Sequence, residues 1–194
     1  LTDELALEGR VVSLGHDWGG VVAFGWAVRH PELLTAVASL NTAVDQPSDL
    51  PIPAALRLAR FGPVLRASTS TSPAFLQTTL ALANPSLSAE VKGAYAAPYL
   101  DRASRLGIEQ FVADIPVDED TESHDALLEV SSGVAKLEVP ALLLWGPRDP
   151  IFTDLYLGDL MRRLPHAEVH RFEGAGHLIA EDAPYATHLL TWLD

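Results

Sequence analysis

The chain has 194 residues, with 13 Lys and Arg against 26 Asp and Glu, a formal net charge of −13 and no cysteine. At ~100–200 residues per domain this holds one domain, or one domain with a large insertion, and 48% apolar with 20% charged residues is a globular composition, not a disordered one. The acidic excess disfavours a nucleic-acid or anionic-membrane surface, which needs clustered cations, and the lack of thiols excludes disulfides, thiolate metal sites and cysteine nucleophiles.

Val11-Val12-Ser13-Leu14 is a short β-branched run ending at Gly15 and reads as a buried strand. Val21 to Arg29 is apolar nearly all round and predicts a buried helix, stopped by His30-Pro31. A second strand is expected from about Ala36 to Leu40. Both strands are continuous apolar runs, the mark of a parallel sheet covered on both faces. Thr42 to Pro53 reads as a polar loop, and no strand pattern follows until residue 137. Helices are expected instead over Ala54–Arg66, Pro73–Ala83, Ser88–Tyr95, Asp101–Val112 and His124–Lys136. The sheet pattern resumes at Val139–Trp145, followed by a helix over Asp154–Leu164, a strand over Ala167–Phe172, a glycine loop at 174–176 and a helix over Pro184–Leu193. The fold class is therefore α/β, with core segments 1–42 and 138–194 split by an all-helical cap at 43–137.

With four strands, the apolar Val11 strand would lie at a bare edge, an arrangement that invites aggregation. Further strands are expected beside it. The chain also lacks an initiator Met, so it is expected to be part of a longer polypeptide. It opens without a basic, signal-like segment, and no apolar run reaches the ~18 residues of a membrane span. Together these favour a cytoplasmic setting.

Three short motifs carry chemistry. Gly15-His16-Asp17-Trp18-Gly19 lies between a strand and a helix. Small residues two before and two after a central side chain mark a nucleophile elbow, which lifts that side chain above the sheet. Its centre is Asp17, and a carboxylate attacks an alkyl carbon or a strained ring to give an enzyme ester. The alternative is a helix N-cap in a glycine-rich turn. Trp145-Gly146-Pro147-Arg148-Asp149 follows a buried strand, so Asp149 stands where parallel sheets bind ligands and is placed to orient a histidine. It also reads as a plain turn aspartate. Gly174-Ala175-Gly176-His177 supplies that histidine, with an unperturbed pKa near ~6.5 that suits a general base acting on water. The other six histidines read as surface residues, with His16 held in the elbow by packing. Trp18 either offers its indole N–H beside the nucleophile or packs under the cap. Asn41 reads as a polar pocket group or as a turn residue ending its strand. Tyr95 and Tyr99, with Arg102 nearby, lie on the cap, where a tyrosine hydroxyl would serve an epoxide oxygen or simply pack. No metal cluster, phosphate loop or dinucleotide fingerprint is visible, so no cofactor or metal is expected.

Together, Gly15 to Gly20, Trp145 to Asp149 and Gly174 to His177 resemble the α/β-hydrolase group of haloalkane dehalogenases and epoxide hydrolases. The resemblance implies an α/β-hydrolase fold with a helical cap, Asp17 as nucleophile, Asp149 as triad acid and His177 as base. Some dehalogenases carry the acid one strand earlier, where this sequence has Asn41. Trp18, Asn41, Tyr95 and Tyr99 become candidate substrate- or anion-binding groups. Leu40–Ala43, Gly93–Tyr99, Arg105, Phe111–Pro116 and Ala167–Phe172 resemble a narrower group, the β-lactone decarboxylases of bacterial long-chain olefin synthesis. That likeness implies cofactor-free conversion of a cis-β-lactone with two alkyl chains to an alkene and carbon dioxide. It also implies a β-lactone synthetase or thiolase as partner or fused domain. The family's first strands and second oxyanion donor are not in this sequence; the backbone N–H of Trp18 supplies the other. Haloalkane dehalogenase and epoxide hydrolase chemistry are the alternatives, as is a non-catalytic hydrolase-fold module or an inactive fragment.

Overall fold

Val11–His16 forms β1, and Gly15 lets the chain turn directly into helix α1 at Trp18–Arg29. The computed structural model describes residues 2, 4–46, 52, 54–116 and 121–194. Part of the expected Thr42–Pro53 loop (47–51 and 53) and residues 117–120 of the expected cap lie outside the described residues. β2 is Leu34–Leu40, β3 is Ala141–Trp145 and β4 is Glu168–Arg171. They form one sheet in the order β1-β2-β3-β4, all parallel. His16 pairs with Leu40, and Leu40 with Leu144, so the strands end together at one edge.

Alternate residues of the central strands face opposite layers. Val37, Ala141, Leu143 and Trp145 share a core with Phe24 and Ala27 of α1. The same core takes Val130 and Val134 of α7 (His124–Val134) and Leu157 and Leu160 of α8 (Asp154–Arg163). Ala38, Leu40, Leu142 and Leu144 face the other way, onto Ile179 of α9 (Ile179–Asp182) and Leu189 of α10 (Tyr185–Leu193). Burial on both faces is why these strands read as unbroken apolar runs. β1 lies at one edge of the sheet, with Leu14 38% exposed and Val22 of α1 64% exposed.

Between β2 and β3 come α2 (Ala54–Arg60), α3 (Gly62–Arg66), a π-helical turn at Ala67–Thr71, α4 (Ala74–Leu80), α5 (Ala89–Ala96), α6 (Leu106–Ala113) and then α7. The single helix expected over Ala54–Arg66 is broken at Phe61, whose backbone is extended. Pro63 has no N–H to continue the α2 ladder, and a proline is tolerated only in the first turn of a helix, so α3 starts afresh around it. The helix expected from Asp101 starts at Leu106 instead. There the Asp101 carboxylate accepts from the Ser104 N–H and the Ser104 hydroxyl donates to the Asp101 carbonyl, closing a local turn that competes with helix. α7 packs on α1 within the main core, so the expected cap boundary at 137 encloses one helix that packs as core. The short α9, just after the histidine loop, carries no strong sequence signal.

Candidate active site

The elbow is built on two close approaches. A Cβ on Gly15 would lie 2.0 Å from the Gly19 carbonyl oxygen, and one on Gly20 would lie 2.3 Å from Thr42 Oγ1. Gly19 itself faces open space, so the tight positions are two before and three after the centre, not two on either side. Asp17 has φ 53° and ψ −128°, a strained backbone for a residue with a side chain. The Asp17 N–H donates to the Asn41 carbonyl at 3.1 Å, and Thr42 Oγ1 donates to the Asp17 carbonyl at 2.6 Å. Its carboxylate makes no capping hydrogen bond to α1, so the N-cap reading fails. Trp18 opens α1, and its backbone N–H has no acceptor within the helix.

His177 joins the two acidic motifs. Its Nδ1–H donates to Asp149 Oδ2 at 2.9 Å, and its Nε2 lies 3.6 Å from Asp17 Oδ2. Asp149 and His177 are both 3% exposed. The other Asp149 oxygen accepts from the Ile151 N–H at 2.7 Å. Burial alone would lower the His177 pKa. Its hydrogen bond to Asp149 and the close approach of Asp17, with the charges of both, outweigh that and raise it to about 9. At neutral pH the ring is therefore an imidazolium held between two carboxylates.

Several expected site residues stand elsewhere than the sequence reading put them. Asn41 is fully buried and is not a pocket group. Its Nδ2 donates to Asp149 Oδ2 and to the Gly146 carbonyl, both at 2.9 Å, and its Oδ1 accepts from the Gly146 N–H at 2.7 Å. It fastens the acid motif to the end of β2. Tyr95 is 39% exposed, and its hydroxyl donates to Glu181 of α9 at 2.7 Å, so it ties α5 to the core instead of facing substrate. That bond, with burial, pushes its pKa up to about 12. Trp18 and Tyr99 do line the cavity above Asp17. His16 is not held by packing alone: its Nε2–H donates to the His177 carbonyl at 2.7 Å.

That cavity has a volume of about 820 Å³, at the upper end of the ~300–1,000 Å³ usual for ligand pockets. Asp17 and His177 lie on its wall, and most of the remaining lining is apolar, including Val21, Val64, Phe75, Ile108 and Leu127. Among the described residues no group of three or more His, Cys, Asp or Glu is placed to hold a metal, and no helix is long and apolar enough to cross a membrane.

Residues 5–184 match the α/β-hydrolase fold family. The chain belongs to that family. It is 31% identical over 188 residues to a cis-3-alkyl-4-alkyloxetan-2-one decarboxylase of Shewanella oneidensis, covering 94% of this chain and 59% of that protein. It is 30% identical over 185 residues to the decarboxylase of the same name from Xanthomonas campestris, covering 94% of this chain and 62% of the relative. The chain thus spans about three-fifths of the length of these relatives. The crystal structure of the haloalkane dehalogenase DbeA from Bradyrhizobium elkani superposes with a TM-score of 0.87 at 26% identity, covering 98% of this chain and 69% of that one. As an α/β hydrolase, the chain has both a decarboxylase and a haloalkane dehalogenase among its relatives.

Proposed function

We propose that this chain carries the Asp17 nucleophile, with its His177 and Asp149 partners, of an enzyme that converts a cis-β-lactone bearing two long alkyl chains into an alkene and carbon dioxide. The observation that carries this reading is the large apolar cavity over Asp17, in a chain whose relatives at 31% and 30% identity are named for a dialkyl oxetanone. A β-lactone is a strained, neutral ring with two alkyl arms, and such a cavity offers those arms the larger part of their binding energy.

The chemistry balances without water or cofactor. An oxygen of Asp17 attacks the ring carbon that bears the alkyl-side C–O bond. That bond breaks, the ring oxygen leaves as part of a free carboxylate, and Asp17 becomes an ester. The carbon–carboxylate bond then breaks, and its electron pair forms the alkene. The ester C–O bond breaks in the same step, returning the Asp17 carboxylate and releasing carbon dioxide. The His177 imidazolium supplies positive charge beside Asp17, where ring opening releases the carboxylate. Asp149 and Asn41 hold that imidazole in place.

A dehalogenase reading draws on the likeness to DbeA and on Trp18 lining the cavity beside the nucleophile. An epoxide hydrolase reading loses Tyr95, whose hydroxyl is engaged by Glu181, and keeps Tyr99, which lines the cavity. A non-catalytic module has no need of a buried, hydrogen-bonded Asp149–His177 pair directed at a third polar group, Asp17, on a cavity wall. The test is incubation of the complete polypeptide that contains this sequence with a synthetic long-chain cis-β-lactone, with Asp17→Ala as control. Alkene that vanishes in the variant is the expected result. Folded protein that yields no alkene but releases halide from long haloalkanes would transfer the site to the dehalogenase reading.

A further inference from the structure

The main chain of His177 is gripped on both sides. Its N–H donates to the carbonyl of Leu82, in the segment after α4, at 3.4 Å. Its carbonyl accepts from the Nε2–H of His16 at 2.7 Å. His16 ends β1 and immediately precedes the nucleophile, so the residue that grips the base is covalently joined to Asp17. The two imidazole rings lie with centroids 5.2 Å apart and their planes tilted by 51°. Three neighbouring loops converge here, yet this is the one direct hydrogen bond the described residues give between the elbow and the backbone of the histidine loop.

We infer that His16 is a positioning residue: by holding the His177 carbonyl it fixes the distance between the His177 ring and Asp17. The bond needs a donor at Nε2, so His16 carries its proton there whenever it is neutral. The groups facing it are His177, Asp17 and Asp149. Burial, then the charge of His177, holds the His16 pKa below its ordinary value, more than the two carboxylates raise it. The neutral ring is a donor that adds no second positive charge beside the imidazolium. Reach is the critical property. Glutamine carries its amide nitrogen about as far from the backbone as imidazole Nε2, whereas asparagine falls one methylene short.

The test compares His16→Gln, His16→Asn and His16→Leu in the complete polypeptide. Its first readout, titration of His177 by NMR, needs no substrate and stands apart from the proposed reaction. The second, kcat and KM for the β-lactone, rests on that reading. His16→Gln is expected to keep the wild-type His177 titration and kcat to within about threefold. His16→Asn and His16→Leu are expected to shift the titration and to lower kcat on the order of 10²-fold, the cost of a ~1 Å misplacement, with KM little changed. Equal behaviour of Gln and Asn, or a wild-type titration and kcat in folded His16→Asn, overturns the assignment. If wild-type protein gives no alkene, the proposed reaction fails and the titration series still decides the role of His16.

Discussion

Asp17→Asn isolates the charge that holds His177 protonated. The two groups are 3.6 Å apart, and the Asp17 side chain is 34% exposed against 4% for His177. Coulomb attraction at that distance is about 4–5 kcal/mol for an effective dielectric constant near ~20, equivalent to about 3 pH units at ~1.36 kcal/mol per unit. Solvent on the Asp17 side lowers this, so the His177 pKa, about 9 in the native protein, should fall by about 1–3 pH units in the variant, the range typical of one neighbouring opposite charge. The measurement is the imidazole titration by NMR with His177→Gln for assignment. In the proposed reaction the same loss of charge would follow when Asp17 becomes an ester. A resting imidazolium would thereby turn into a neutral base once the covalent intermediate exists, which is when a hydrolytic reaction needs one. A lactone that decarboxylates needs no such base, so its turnover tolerates a ring that stays charged. An unchanged His177 titration in Asp17→Asn would show that Asp17 does not hold the proton and that Asp149 with burial accounts for the whole of its pKa.

The remaining predictions concern the supports of the site. Asn41→Ala leaves the buried Gly146 N–H unpaired and takes a donor from Asp149; at ~1–3 kcal/mol for the orphan and ~1.5–3 for the charged bond it should cost about 2.5–6 kcal/mol, and a Tm lowered by less than a few degrees would show the network to be weaker than its geometry implies. Gly15→Ala sets a Cβ against the Gly19 backbone and should abolish folding or turnover, while Gly19→Ala meets open space and should be tolerated; comparable expression and melting of the two would contradict the elbow packing. Thermal stability should decline as pH rises from ~6.5 towards 9, because the folded His177 binds its proton more tightly than the unfolded ring. It should also decline below ~6.5, because burial lowers His16 in the folded state and the unfolded chain then takes up the proton more readily. His177→Gln should remove the alkaline slope, and a slope that persists in it would assign the effect to another group.

The sheet and its ligand edge were legible because they rest on local signals. Continuous apolar runs gave both covered strands, and each motif follows a strand directly. What the sequence hid are bonds across the chain. Asn41 reads as a turn residue with φ near +23°, and nothing local says that it faces a backbone 105 positions on. Tyr95 sits on α5 in a segment that resembles a family cap, but its hydroxyl is claimed by Glu181, on a four-residue helix that no periodicity reveals. Phe61 shows the reverse case: the Gly62-Pro63 pair that breaks the helix was present in the sequence, and the apolar pattern on either side masked it.

The order of attachment along the strand ends explains why one loop integrates the site. Asp17 lies one residue beyond β1 and Asn41 one beyond β2, both on backbone fixed by the parallel register. Asp149 lies four residues beyond β3, and His177 six beyond β4. Freedom therefore grows across the sheet from Asp17 to His177. The supports grow to match it: Asp149 is held by Asn41 and the Ile151 N–H, and His177 by Asp149, His16 and the Leu82 carbonyl. Asp149 is tied back to Asn41, and His177 to Asp149 and His16, all on shorter tethers. A polar network of this kind transmits geometry from the rigid strands outward, so loss of Asn41 should disturb His177 more than loss of any side chain on the cap.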